Sequence, residues 1–161
     1  PVCSHTLSEP ELARLTPDAA AGGHIASSVY FQSTPGEQNA RFVAGYKSRF
    51  GANRVTSADS EAAYNTVHLL ARAYQKAGTQ ELNAMKTALY DTQFDAPQGK
   101  IWIDPGNNHC FLTPALAVSN DAGQFDIFHT YDAPVRPDPY LVDFDAKSQI
   151  CAPEPSESVA Q

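Results

Sequence analysis

Ser4, His5 and Thr6 are three consecutive polar side chains that follow a short apolar start of the chain. Residues 2–7 are predicted to form a strand, which puts Ser4 and Thr6 on one face and His5 on the other. Ser8 then begins a helix with a capping-box pattern. Two hydroxyls and an imidazole donate and accept hydrogen bonds, and open α/β sheets bind ligands where such strands end. The alternative is that Ser4 and Thr6 only cap the helix, although Ser8 already suits that cap.

The remaining polar residues form no pattern typical of a catalytic or metal site. The sequence has no Gly-x-Ser-x-Gly and no His-Glu-x-x-His, and nothing places a nucleophile beside a base, so no enzyme is predicted. The histidines fall on different predicted elements: His5, His24, His68, His109 and His129. The three cysteines, Cys3, Cys110 and Cys151, have no CxxC spacing. His109 and Cys110 are adjacent, and neighbours on a strand point to opposite faces, so they make a poor chelate. We therefore predict no metal and no cofactor. An odd number of unpaired cysteines favours a reducing compartment.

Composition excludes two classes of partner. The net charge of −7 argues against direct binding of nucleic acid. No apolar run reaches the roughly 18 residues needed to span a bilayer. The chain of 161 residues is long enough for one domain with a hydrophobic core.

Periodicity and capping predict the elements of that domain. Helices are expected at 8–15, 36–50, 57–77 and 80–90, strands at 2–7, 24–32 and 100–104, and a hairpin at 111–131. The stretch 16–23, rich in Gly, Pro and Ala, is expected to break the first helix. Thr34 and Glu37 are expected to cap the second helix.

Two helix faces lack a sheet to cover. Phe42, Tyr46 and Phe50 repeat at helical spacing on one helix, as do Val67, Leu70 and Tyr74 on another. Only about two candidate strands could join a parallel sheet, which is too few to cover these faces. We therefore expect the chain to begin in the middle of a larger fold and to contact the remaining N-terminal portion of the same protein.

Several segments together resemble a known family. They are Val-Tyr-Phe at 29–31, Phe-Val-Ala-Gly-Tyr-Lys at 42–47, Ser-Glu-Ala-Ala-Tyr at 60–64, Phe-Asp-Ala-Pro-Gln-Gly at 94–99, Asp-Pro-Gly-Asn-Asn-His at 104–109 and Arg-Pro-Asp-Pro-Tyr at 136–140. The chain resembles type I periplasmic-binding proteins, and within them the binders of urea and short-chain amides. It is most similar to the AmiC-type amide sensors, which are negative regulators of aliphatic amidase operons. The resemblance covers residues 1–142 and corresponds to the C-terminal part of a family member.

The resemblance implies an α/β fold: the C-terminal portion of a two-lobed type I periplasmic-binding-protein fold with three hinge crossings, a fragment lacking most of the parallel sheets. Its segments would be 1–23, the end of lobe two; 24–32, a hinge crossing; 33–93, the helical part of lobe one; 94–103, a second crossing; 104–142, the hairpin of lobe two; and 143–161, a disordered tail.

The resemblance also implies a small-molecule binding protein that closes its lobes on a short-chain amide or urea-like ligand. Thr6 would occupy the position of a cleft-lining threonine, with Ser4 and His5 beside it. Tyr30, at the crossing, is a further candidate, although hinge packing is favoured for it over ligand contact.

Two biological roles remain open under this resemblance. A regulator would stay in the cytoplasm and hold an RNA-binding antiterminator inactive, and the unpaired cysteines favour this role. A transporter component would be periplasmic and would deliver its ligand to an ABC permease. A third alternative is a fragment without independent activity.

Overall fold

A computed structural model of the chain describes residues 1–139. The elements in chain order are β1 (Cys3–Ser4), α1 (Glu9–Leu12), α2 (Pro17–Ala20), β2 (Ile25–Ser28), α3 (Glu37–Phe50), α4 (Ala58–Ala77), α5 (Leu82–Tyr90), β3 (Gln93–Ala96), β4 (Gly99–Ile103), β5 (Cys110–Phe111), β6 (Ala115–Ser119) and β7 (Phe125–Thr130). They form two groups around separate cores, which we name by their sheets.

The four-stranded half contains β1, α1, α2, β2, β6 and β7. Its sheet has the order β1-β2-β6-β7, with β1 parallel to β2 and the other neighbours antiparallel. Ala26, Ala117 and Phe125 lie buried in one core cluster with Leu12 of α1 and Phe31.

The three-stranded half contains α3, α4, α5 and the antiparallel sheet β3-β4-β5. Leu69 of α4 packs against Phe94 and Ile101 of this sheet. Gly78 ends α4 in the left-handed conformation with φ 65°, which favours glycine.

The chain passes between the two halves three times. Residues 29–36 lead out of β2, and residues 112–114 lead back into β6. After β7 the chain returns, and the N–H of Val135 donates to the carbonyl of Leu112 at 2.7 Å. The predicted fold class, an α/β portion of a two-lobed fold with three crossings, is confirmed. The predicted lobe boundaries stay a prediction. In the structure the chain passes from the three-stranded sheet to the four-stranded sheet after Phe111, and residues 94–103 lie within the three-stranded half.

The long elements agree with the sequence prediction, and several short ones do not. The first helix was expected to reach residue 15 but ends at Leu12. A second helix then begins within the expected break, because the hydroxyl of Thr16 accepts the N–H of Ala19 at 3.3 Å and Pro17 suits the first position. The first strand covers only Cys3–Ser4, and β3 was not predicted.

The expected cap of α3 is wrong. The hydroxyl of Thr34 accepts the N–H of Phe31 at 3.2 Å, and Gly36 takes the N-cap position. Glu37 instead forms an exposed ion pair with Arg41 at 3.2 Å.

The predicted tail, 143–161, lies outside the described residues, as do the last residues of the predicted segment 104–142. None of the helices within residues 1–139 combines the length and apolar character needed to cross a bilayer.

Candidate functional site

Ser4 and Thr6 meet at the end of β1. The oxygen of Ser4 accepts the N–H groups of Thr6 and Leu7, each at 3.1 Å, and its hydroxyl lies 3.2 Å from that of Thr6. Ser4 is therefore committed to the turn that follows the strand. Thr6 and His5 are exposed, so both remain accessible to a solute.

This strand end lies at the same sheet edge as the first passage between the halves. β1 and β2 are parallel, and Ser4 pairs with Ala26. The carboxyl ends of parallel strands meet at one edge, so Thr6 lies at the edge from which residues 29–36 leave for the other half. The hydroxyls of Ser4 and Thr6 are thus placed near the junction of the two halves.

Tyr30 lies inside this junction with 1% of its surface exposed. Its hydroxyl donates to Oδ1 of Asn39 at 2.9 Å and lies 2.8 Å from that of Thr56. Its ring packs edge-on against Phe42. Burial raises the pKa of Tyr30, so the phenol stays neutral. These contacts favour the packing role that was weighed against ligand contact.

Two fully buried glutamates flank the junction, and the sequence did not single them out. Glu9 of α1 accepts the N–H of Gln32 at 2.6 Å, while its second oxygen has no partner within the described residues. Glu61 of α4 accepts the side-chain amides of Asn65 at 2.7 Å and Gln98 at 2.9 Å. Burial raises the pKa of both carboxyl groups. An acidic residue in the first turn of a helix is so common that the sequence carries no signal for their burial.

The turn at 104–109 anchors the third passage. Asp104 is 6% exposed and accepts Nε of Arg136 and the N–H of Gly106, at 2.8 and 2.7 Å. The hydrogen bond from Arg136, followed by that from Gly106, lowers the pKa of Asp104. The side-chain amide of Asn107 donates to the carbonyl of Pro137 at 2.8 Å, so the returning segment is held at two points.

The chemistry of these groups is hydrogen bonding. Cys110 is half-buried, and burial raises the pKa of its thiol, which disfavours the reactive thiolate. Among residues 1–139, no three His, Cys, Asp or Glu side chains are close enough together to hold a metal ion.

Residues 1–146 match the family model described as the periplasmic binding protein domain. The chain belongs to this family. As expected for a periplasmic binding protein domain, the chain also superposes on solved structures. One is the solute-binding protein of an ABC transporter from Rhodopseudomonas palustris BisB5 in complex with 3,4-dihydroxybenzoic acid, with 25% identity, a TM-score of 0.69, and coverage of 78% of this chain and 35% of that chain.

Two further similar proteins extend the comparison. The leucine-binding protein from Thermotoga maritima MSB8 is 18% identical with a TM-score of 0.63, and the match covers 80% of this chain and 36% of that chain, which shows the shared fold. A protein of Geobacillus stearothermophilus named limonene hydroxylase is 30% identical over 121 residues, or 75% of this chain and 22% of that protein. The chain spans about a third of the length of each of the two solved proteins and 22% of the length of the Geobacillus protein. The name of the Geobacillus protein describes that whole protein.

The comparisons confirm the predicted family and leave its finer subdivision without support. The two solved structures are a solute-binding protein of an ABC transporter and a leucine-binding protein. Neither name supports the predicted amide sensor, its antiterminator partner or its cytoplasmic location, and the family is named for the periplasm.

Proposed function

We propose that this chain is part of a periplasmic solute-binding protein that delivers a small molecule to an ABC permease. The observation that carries the proposal is the match of residues 1–146 to the periplasmic binding protein family, together with the superposition on a solute-binding protein of an ABC transporter at a TM-score of 0.69. This was the alternative role weighed for the sequence.

The mechanism follows from the two halves and their three connections. A solute held between two halves stabilises the closed arrangement by the difference in its contacts with the two states. The exposed hydroxyl of Thr6 and the ring of His5 supply polar contacts at the junction edge. A few such groups in a largely apolar cleft are enough to orient a small solute.

The solute class is proposed from the relatives. One holds 3,4-dihydroxybenzoic acid, and another is named for leucine. Both molecules carry a carboxylate, which accepts hydrogen bonds from hydroxyl donors such as that of Thr6. We therefore propose a small organic acid or amino acid as the solute in place of an amide.

The cleft needs the remaining N-terminal portion of the fold, because the match covers 35% of the solute-binding protein. The uncovered surface of α4 suits this partner, since Val67 and Leu70 are 66% and 55% exposed. Apolar surface of this kind is stabilised by burial against another part of a core.

Calorimetric titration of the complete two-lobed protein tests the proposal. The panel is 4-hydroxybenzoate, 3,4-dihydroxybenzoate, leucine, acetamide and urea. Saturable binding of an acid or of leucine supports the proposal. Binding restricted to acetamide or urea would overturn it in favour of an amide sensor, and a protein that binds no member of the panel would contradict the solute class.

A further inference from the structure

Gln32 occupies the first passage between the halves and uses every hydrogen-bonding group it has. Its backbone N–H donates to Glu9 at 2.6 Å, and its carbonyl accepts the side-chain amide of Asn39 at 2.9 Å. Its side-chain oxygen accepts the N–H of Thr56 at 2.9 Å, and its side-chain nitrogen donates to Gln124 at 2.8 Å.

These four partners belong to both halves. Glu9 lies in α1 and Gln124 precedes β7, so both are part of the four-stranded half. Asn39 lies in α3 and Thr56 precedes α4, so both are part of the three-stranded half. One half-buried residue therefore ties two segments of each half to a single point in the connecting segment. Its backbone bonds Glu9 and Asn39, and its side chain joins Thr56 of one half to Gln124 of the other.

Helices and strands of different halves make few contacts with one another in the described part of the chain. The pairs of elements in broad contact all lie within one half, for example β6 with β7 and α4 with α5. Hydrogen-bond networks in a protein interior rigidify and specify one arrangement of the groups they join. The hydrogen bonds of Gln32 are thus well placed to determine the relative orientation of the two halves.

We propose that Gln32 is a positioning residue that sets the angle between the two halves and so tunes solute affinity without contacting the solute. The angle between the halves is a property of this chain alone. The effect on solute affinity rests on the proposed function, because an altered angle changes the equilibrium between open and closed states. Removing the side chain leaves the N–H of Thr56 without its acceptor and removes the hydrogen bond to Gln124.

Pulsed electron paramagnetic resonance on the full chain tests whether Gln32 sets the angle between the two halves. Spin labels at the exposed positions Lys86 in α5 and Asp121 in the β6–β7 loop report the distance between the halves, with Cys3, Cys110 and Cys151 replaced by alanine. Gln32→Met keeps the size of the side chain and removes its polar groups. For samples prepared well below the melting temperature, we expect the distance distribution of Gln32→Met to be about twice as wide as that of the parent chain.

The matched control is Gln38→Met, the same change at an exposed position in the first turn of α3. It should leave the distribution unchanged. A Gln32→Met distribution as narrow as that of the parent would overturn the proposal, even if the variant melted earlier. If Gln32→Met does not fold, Gln124→Met removes one of the same hydrogen bonds from the partner side, and an unchanged distribution there would overturn the proposal equally.

Measuring solute affinity distinguishes a failure of this proposal from a failure of the proposed function. In the complete protein, Gln32→Met should change the Kd for 4-hydroxybenzoate or leucine about fivefold or more, the lower range of ordinary allosteric couplings. If the parent protein binds neither solute, the proposed function fails while the distance measurement still decides the role of Gln32. If both solutes bind with parental affinity despite a widened distribution, the claimed effect on affinity is wrong.

Discussion

Thr6 carries the exposed hydroxyl at the junction edge, while the neighbouring Ser4 is committed to its turn. If Thr6 donates to the solute, Thr6→Val should weaken binding by about 1–3 kcal/mol, because a desolvated polar group of the solute loses its partner. Calorimetric titration with 4-hydroxybenzoate and leucine measures this loss. The melting temperature should stay the same, since Thr and Val are nearly isosteric. Unchanged affinity for both solutes would reduce Thr6 to a structural role.

Ser4→Ala is the comparison for Thr6→Val. It removes the acceptor of two backbone N–H groups in the turn, so it should lower the free energy of unfolding by about 0.5–1.5 kcal/mol. The two variants together separate a binding hydroxyl from a turn-forming one.

The buried carboxyl group of Glu9 should make the stability of the chain depend on pH. Burial raises the pKa of Glu9 above its ordinary value of 4.5. The folded chain therefore keeps this proton at pH values where the unfolded chain has lost it, and the free energy of unfolding falls as pH rises through that range. Glu9→Gln retains an oxygen for the N–H of Gln32 and removes the ionisable group, so the fall should become smaller. Urea unfolding between about pH 5 and about pH 8 measures it.

Glu61 also has a raised pKa, so part of the fall should remain in Glu9→Gln. Glu37→Gln serves as the control, because Glu37 forms only an exposed ion pair of the kind that contributes little. A pH dependence that is identical in Glu9→Gln and in the parent chain would show that burial of this carboxyl does not affect stability.

Helix α4 is apolar on two opposite faces. Leu69 and Ala73 are buried against the three-stranded half, whereas Val67, Leu70 and Tyr74 are exposed on the other side. Leu70→Glu should weaken association with the N-terminal portion by about 1.5–3 kcal/mol, the usual contribution of one buried leucine. The exposed apolar face also predicts that the chain alone self-associates, and Leu70→Glu should reduce this association in analytical ultracentrifugation.

Gln75→Glu adds the same charge at an exposed polar position of α4 and should have little effect. If Leu70→Glu and the parent chain associate equally in both measurements, this face of α4 is not a docking surface.

The contrast between α4 and β3 explains which elements the sequence could predict. A helix of 20 residues repeats its apolar positions several times and ends at Gly78, so its pattern identifies it without knowledge of its partners. β3 has 4 residues, and its two buried side chains, Phe94 and Ala96, are defined by contact with α4. Short elements set by distant contacts leave too few repeats for a period to be recognised.

The candidate site divides in the same way. Alternation along the predicted strand puts Ser4 and Thr6 on one face, but β1 ends at Ser4. The two hydroxyls meet because the oxygen of Ser4 accepts the N–H groups of Thr6 and Leu7 in the turn that follows. The network of Gln32 was not predictable, because its partners Glu9 and Gln124 are distant in sequence and meet only when the halves assemble.

At the scale of the whole molecule, Asp104 and Arg136 hold the third passage to the turn at 104–109. Arg136→Met should loosen this passage, so that the N–H of Val135, which donates to Leu112, exchanges with solvent faster. Hydrogen exchange followed by mass spectrometry measures this change. Arg41→Met, which breaks an exposed ion pair in α3, is the control. Equal exchange at Val135 in Arg136→Met and in the parent would show that the ion pair does not restrain the segment.

The order of the four-stranded sheet has a consequence for how the chain folds. Ile25 in β2 pairs with Val118 in β6, and the whole three-stranded half lies between them in sequence. Closing so long a loop in an unfolded chain costs conformational entropy, but a compact insert brings its own ends near each other first. We therefore expect the inserted half to nucleate and the central strand pair to zip up late. Refolding should then show early protection of amides in α4 and late protection in β2 and β6.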